Sequence, residues 1–253
     1  MTSSAIRKVS VEAGQVKGNE YIGGIAGYVN NNAAITDCSN NAKVIGQNYT
    51  GGIAGIAFYG TTISSSNNSG VVEGKSYTGG IAGYSQAQIE KVYNDKEIKG
   101  EEFIAGIVGA NFTMGDVSKS YNKGNISGVN NVGGIVGTNN ASVTSVYNTG
   151  DIKTEGYRAG GICGQNATDS FIYNSYNIGK VEGLESVGGV VGGDFGTITN
   201  CYYLESSIEE NNESEFSKTE EDLKNNLFED LGVEFVQDKD GKINQGFPIL
   251  SFQ

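Results

Sequence analysis

The chain has no histidine, no tryptophan and a single proline in 253 residues. Without histidine, no Ser-His-Asp or Cys-His triad can form, and no zinc site can draw on imidazole. No apolar run approaches the 18 residues a membrane-spanning helix needs, so no membrane insertion is expected. The opening MTSSAIRKVS lacks the apolar stretch of a signal peptide. Basic charge is scarce too. The net charge is -12, which argues against a nucleic-acid partner. The three cysteines, Cys38, Cys163 and Cys201, are an odd number at spacings that match no zinc motif. They read as small buried apolar residues.

Glycine, in contrast, is abundant, with 39 residues. The charge is also uneven. Residues 1–203 carry 16 acidic and 13 basic side chains, whereas 204–253 carry 13 and 4. This places a composition boundary near Leu204, between a nearly neutral region and an acidic one.

The glycines fall in an internal repeat. The string Gly-Gly-Ile-Ala-Gly begins at Gly23, Gly51 and Gly79, and variants begin at Ala105, Gly133, Gly160 and Gly188. The offsets are 28, 28, 26, 28, 27 and 28 residues. A second block follows each copy, anchored by Ile35, Ile63, Ile89, Val117, Val143, Ile172 and Ile198. Five positions on, six copies carry asparagine: Asn40, Asn68, Asn94, Asn122, Asn148 and Asn177. One position before that, five copies carry tyrosine: Tyr93, Tyr121, Tyr147, Tyr176 and Tyr202. A second aromatic series, Tyr21, Tyr49, Tyr77 and Phe103, lies two residues before the first glycine. Gly14, Val16 and Gly18 fit the same slots as a partial block ahead of the first copy.

Each period holds three short stretches rich in Ile and Val with alternating polarity, which predicts strands of four to six residues. No helical stripe runs through the first 203 residues. One such strand cannot bury its apolar face alone, but copies stacked in register can. The predicted fold is therefore all-β: a parallel β-solenoid, taken as a right-handed β-helix, of about seven coils of 26–28 residues. At about 4.8 Å per coil the rod is about 35 Å long. The glycines are expected to serve sharp turns and close backbone approach. The asparagines are expected to form an amide ladder at a coil corner, tolerating left-handed backbone there. Residues 204–253 read as an acidic connector at 205–221 followed by a small α+β cap for the rod end. Thr219 is the expected N-cap of a helix running to about Leu231, with strand fragments at Val233–Gln237 and Pro248–Phe252.

The segment Gly133–Thr154, GGIVGTNNASVTSVYNTGDIKT, resembles a GLUG repeat, and the likeness extends from about Gly14 to Tyr203. GLUG motifs occur in large secreted or cell-surface bacterial proteins, including IgA-specific metallopeptidases and adhesins, as noncatalytic parts. The resemblance thus implies an extracellular or surface location and a larger parent polypeptide. It transfers no catalytic residue.

Other chemistry finds little support. Asp37, Glu90 and Asp116 share no repeat slot, so no carboxylate pair for glycoside hydrolysis is marked. The Gly-Gly-x-Gly-x-Asp pattern of calcium roll repeats is missing, and no metal or cofactor is expected. The expected function is a noncatalytic stalk or adhesin-type module. The alternative is an accessory domain that positions substrate for a peptidase or glycan-degrading enzyme. The tyrosine file Tyr93, Tyr121, Tyr147, Tyr176 and Tyr202 is the candidate binding face for host glycans or extracellular proteins, and the asparagine ladder is structural.

Overall fold

The computed structural model describes residues 4–209 and 216–253. Residues 4–209 form a parallel β-solenoid of seven coils. Three of its sheets have seven strands each, one strand per coil. A fourth sheet of 13 strands joins the Ile35-type and Asn40-type segments of every coil. The second coil shows the pattern, with strands at Ala34–Thr36, Ser39–Asn40, Lys43–Ile45, Asn48–Gly51 and Ala54–Ala57. Most strands are thus shorter and more numerous than the three per period expected from the apolar stretches.

Two positions of each coil are left-handed, and the first of them divides the Ile35-type from the Asn40-type strand in the early coils. One series, including Asp37, Ser65, Lys91 and Lys119, has φ between 47° and 56°. The other is Tyr21, Tyr49, Tyr77, Phe103, Asn131, Arg158 and Ser186, with φ between 52° and 63°. A single left-handed residue interrupts the side-chain alternation, at roughly 1–2 kcal/mol for a residue other than glycine, asparagine or aspartate. The expectation that the ladder asparagines sit at left-handed corners is therefore corrected, whereas the second motif glycine does lie at a bend, as Gly52 does between Asn48–Gly51 and Ala54–Ala57. No motif glycine or ladder asparagine has positive φ, and the positive-φ glycines are Gly14, Gly60, Gly232, Gly241 and Gly246.

The motif glycines also serve close approach. A Cβ on Gly52 would lie 2.2 Å from the Gly80 carbonyl oxygen and 2.4 Å from the Asn68 amide. A Cβ on Gly51 would lie 2.0 Å from the Ala54 carbonyl oxygen, but the backbone at this first glycine can adjust to a methyl group, because Ala105 occupies that slot, fully buried, in the fourth coil. Gly52→Ala is accordingly expected to lower the melting temperature more than Gly51→Ala. Equal melting temperatures for the two variants would contradict this account of the motif.

Register is strict throughout. Ile35 pairs with Ile63, Ile63 with Ile89, Ile89 with Val117, and so on through Val143, Ile172 and Ile198. The first coil is complete rather than partial, since Ala5–Arg7 pairs with Ala34–Thr36 and sets Ile6 opposite Ile35. Two apolar columns result. The larger packs the Ile35 series against Ile53, Ile81, Ile107, Ile135 and Ile162. The smaller packs Val44, Val72, Ile98, Ile126 and Ile152 against Ile104 and Val132. Each fully buried isoleucine contributes about 1.5–3 kcal/mol relative to an exposed one.

The C-terminal region covers the end of the rod only with its first residues. Thr197–Leu204 adds an eighth member to the Ile35-type strands of the large sheet, and Ser217–Lys218 pairs with it in parallel. Ile208 and Phe216 pack against the end of the core. The remainder then folds back along the side of the rod as a lobe. Helix α1 (Glu220–Asn225) is capped by Thr219, whose Oγ1 accepts from the Asp222 amide at 3.1 Å. Helix α2 (Leu227–Asp230) follows, so the single helix expected through Leu231 is divided in two. Phe235–Val236 then pairs antiparallel with Ile249–Leu250. Residues 210–215 of the acidic connector lie outside the described residues.

Candidate functional site

Four files of side chains run along the rod. The first is the asparagine ladder. Each Nδ2 donates to the Oδ1 of the next coil: Asn40 to Asn68 at 2.9 Å, Asn68 to Asn94 at 2.8 Å, and Asn94 to Asn122 at 2.8 Å. Asn122 continues to Asn148 at 2.7 Å, and Asn148 to Asn177 at 2.8 Å. The same Nδ2 groups also donate to a carbonyl two residues on, such as Gly124 O for Asn122. All six residues are fully buried, inside the coil rather than on its surface. They fill the space left by the second motif glycine of the facing wall. Tyr203 takes the next place, with its ring over Gly189, and ends the ladder.

A second amide ladder was not anticipated. Asn111 donates to Asn139 at 3.0 Å, Asn139 to Asn166 at 3.0 Å, and Asn166 to Asp194 at 2.8 Å. Its signal is a side-chain amide or carboxylate two residues after the third motif glycine, present only from the fourth coil onward.

The third file is the tyrosine series named as a binding face. Tyr93, Tyr121, Tyr147 and Tyr176 stack with centroid separations of 5.0, 5.0 and 5.3 Å and interplanar angles of 10° or less. Tyr202 pairs in register with Tyr176 and lies half-buried, with the Lys218 ammonium 5.3 Å from its ring centroid. This file is covered. Leu223, Leu227, Leu231, Phe235, Phe247 and Leu250 of the lobe close over it. Tyr147 and Tyr176 are 0% exposed. The Tyr176 hydroxyl accepts from Asn244 Nδ2 at 2.7 Å and donates to the Pro248 carbonyl. Gln253 Nε2 donates to the Tyr147 hydroxyl at 2.9 Å. Lys119 pairs with Glu234 at 3.1 Å, and Lys123 donates to the Ile243 carbonyl at 3.2 Å. The surface that looked free in sequence is the seat of the chain's own C-terminal lobe.

Burial gives this contact a pH dependence. It pushes the Tyr121 phenol up to about 12 and raises Tyr147 and Tyr176 further. A phenol with a raised folded-state pKa contributes stability in full below its unfolded value near 10, and that contribution is lost as pH rises through the folded value. The lobe is expected to stay docked at pH 8 and to release between about pH 10 and 12. Limited proteolysis at stepped pH reads this directly. Cleavage within residues 216–253 that is equally slow at pH 8 and pH 11.5 would refute it.

The fourth file is the one that remains open. Tyr21, Tyr49, Tyr77 and Phe103 stack at 5.4, 4.9 and 4.9 Å. Tyr28 stands at 82° to Tyr21, and Tyr84 at 82° to Tyr49. Tyr28 in turn stacks with Phe58, and Tyr84 with Phe112. The crosswise rings escape a repeat-by-repeat reading because they occur in alternate coils: Ile56 and Ala110 hold the slot between and after them.

Acidic and thiol chemistry is less organised. Glu90 pairs in register with Ser64 and Ser118, Asp116 with Gln88, and Asp37 sits at a left-handed corner, so the three carboxylates do not converge. Among the described residues, no three Cys, Asp or Glu side chains gather as a metal site. All three cysteines are free and buried, and burial raises the thiols of Cys163 and Cys201 well above the ordinary range, which keeps them protonated and unreactive.

No curated protein and no solved structure matches the chain. The family model of the GLUG motif matches residues 18–45, one full turn of the coil. Gly23, Gly24, Gly27 and Asn40 all lie within that turn, and their slots recur along the rod. The chain thus carries the GLUG motif in a stacked, in-register array, consistent with a GLUG-repeat protein.

Proposed function

We propose that this GLUG array is a noncatalytic, rigid spacer within a larger secreted or cell-surface bacterial protein. Its coarse character, a structural repeat module, follows from the motif and the fold. The finer reading rests on one observation: seven coils share one uninterrupted register, with aliphatic and amide side chains stacked on their own kind from coil to coil. Such a rod resists bending and extension because every coil is bonded to both neighbours. A surface location is in keeping with the company GLUG motifs keep and with the net charge of -12.

Pulling the chain between its ends in a single-molecule experiment tests the mechanical reading. A spacer is expected to yield in discrete steps, each releasing one coil. A coil of 26–28 residues has a contour length of about 90 Å at 3.3–3.6 Å per residue. Unfolding without steps, at forces typical of a loose chain, would remove the spacer role. Turnover of a peptide or polysaccharide by this chain would remove the noncatalytic one. A second reading, an accessory domain that positions substrate for a catalytic domain of the same polypeptide, is favoured by the open aromatic face. A peptidase or glycosidase encoded alongside supports it, whereas further repeats and a wall anchor support the spacer.

A further inference from the structure

The open aromatic network on the first coils serves no need of the fold. Coils five to seven adopt the same path with Asn131, Arg158 and Ser186 where the earlier coils hold Tyr21, Tyr49, Tyr77 and Phe103. In those earlier coils, aromatic residues occupy left-handed backbone, where they are costly and asparagine is cheap. Tyr21, Tyr28 and Phe58 are exposed, and Tyr49, Tyr77, Tyr84 and Phe103 are half-buried. Tyr28 is 50% accessible and Tyr59, beside Phe58, is 59%. The rod thus displays a local patch of exposed aromatic surface, a feature that marks a binding face.

The geometry narrows the ligand. The axial file has its ring faces occupied by its own stacking and offers edges and hydroxyls. Tyr28 and Tyr84, set at 82° to that file, stack on one side with Phe58 and Phe112 and keep the second ring face outside both stacks. They lie two coils apart along the axis, about 10 Å at the usual strand spacing. That interval matches the disaccharide repeat of an extended β-1,4-linked chain, in which alternate sugar rings present equivalent faces. Beside the file runs an in-register polar column of Glu20, Asn48, Ser76 and Glu102. Carboxylate, amide and hydroxyl are the groups that bond vicinal sugar hydroxyls. The column brings two carboxylates and no cation, which disfavours a sulfated or sialylated glycan.

We propose that this face binds an uncharged β-1,4-linked polysaccharide laid along the rod axis, with Tyr28 and Tyr84 stacking on alternate sugars and the Glu20–Glu102 column bonding their hydroxyls. The proposal is independent of the spacer reading, because a rod of any mechanical role could carry such a face.

Calorimetric titration of the full chain with cellohexaose, chitohexaose and heparin tests it. At least one neutral hexaose is expected to bind and heparin not to. A Tyr28→Ser/Tyr84→Ser variant is expected to lose about tenfold or more in affinity. Phe171→Ser, an exposed aromatic residue outside the network, is expected to lose none. Tyr28 is exposed and Tyr84 half-buried, and an unchanged circular dichroism spectrum confirms that the coils are intact. Absence of binding to both hexaoses, equal binding by wild type and double variant, or preference for heparin would each overturn the proposal. So would sedimentation showing that the wild-type chain dimerises and the double variant does not, which would assign the face to a second copy.

Discussion

An Ile135→Asp variant is expected to melt at least 10 °C below the wild type, or to fail to accumulate as folded protein. Ile135 is fully buried in the larger apolar column, between Ile107 and Ile162 of the adjacent coils. An aspartate there has no cation to pair with. The effective penalty for an unpaired buried ion is several kcal/mol, and the lost packing of the isoleucine adds to it. For a chain of this size each kcal/mol lowers the melting temperature by about 2–4 °C. Ile135→Val removes one methylene group and is expected to cost only about 0.5–1.5 kcal/mol. The damage should also be local, since each coil touches only its neighbours. Hydrogen exchange is expected to show protection lost around Ile107, Ile135 and Ile162 and largely kept around Ile35. A melting temperature within 2 °C of wild type would mean that the side chain at 135 does not face the core.

The second large effect is expected from Asn122→Asp, an almost isosteric change in the middle of the amide ladder. Asn122 Nδ2 donates to Gly124 O and Asn148 Oδ1, both at 2.7 Å, while its Oδ1 accepts from Asn94 Nδ2 at 2.8 Å and the Gly124 amide at 3.1 Å. A carboxylate keeps the two accepted bonds but directs its second oxygen at two acceptors. With the site fully buried, the ionised form is disfavoured twice, by desolvation and by that repulsion. The cost is expected to be about 3–5 kcal/mol at neutral pH, in the range for a buried charge left without its partner. The sign of the pH dependence follows. The folded-state pKa of the new carboxyl lies above its unfolded value near 3.9, so the penalty vanishes below about pH 4 and grows as pH rises. The protonated acid can donate to Asn148 and restore the ladder. Melting curves for wild type and variant are therefore expected to converge toward pH 4 and diverge toward pH 7. A constant offset across that range would show that the ladder tolerates the charge.

The repeat itself was legible because it is written in equivalent slots. Ile35 and its six counterparts, the six asparagines and the glycine pairs recur at 26–28 residues, and a strand that cannot bury its face alone has to stack on its copies. The solenoid, its coil number and its register follow from that constraint alone. The roles of individual slots did not. Glycine in the motif suggested turns, and the coil does bend at Gly52 and its counterparts, but left-handed backbone falls on Ser65, Lys91, Tyr49 and Tyr77, whose side chains carry no mark of it. The second glycine of each motif, from Gly24 to Gly161, answers to the asparagine amide packed against it from the facing wall, a contact between residues far apart within one coil.

The candidate binding face shows the same division. Two aromatic files were visible as repeating slots, but repetition does not reveal which one is open to solvent. The Tyr121–Tyr176 file is closed by Leu223, Phe235 and Phe247, residues of a lobe that shares no slot with the repeat. The Tyr21–Phe103 file stays open and gains Tyr28 and Tyr84, which alternate by coil and vanish when coils are compared one at a time. Periodic burial within and between coils is a local, additive property, so the order of residues alone determines it. Which face another part of the chain covers depends on a single nonrepeating contact between distant segments, and only the folded molecule decides that.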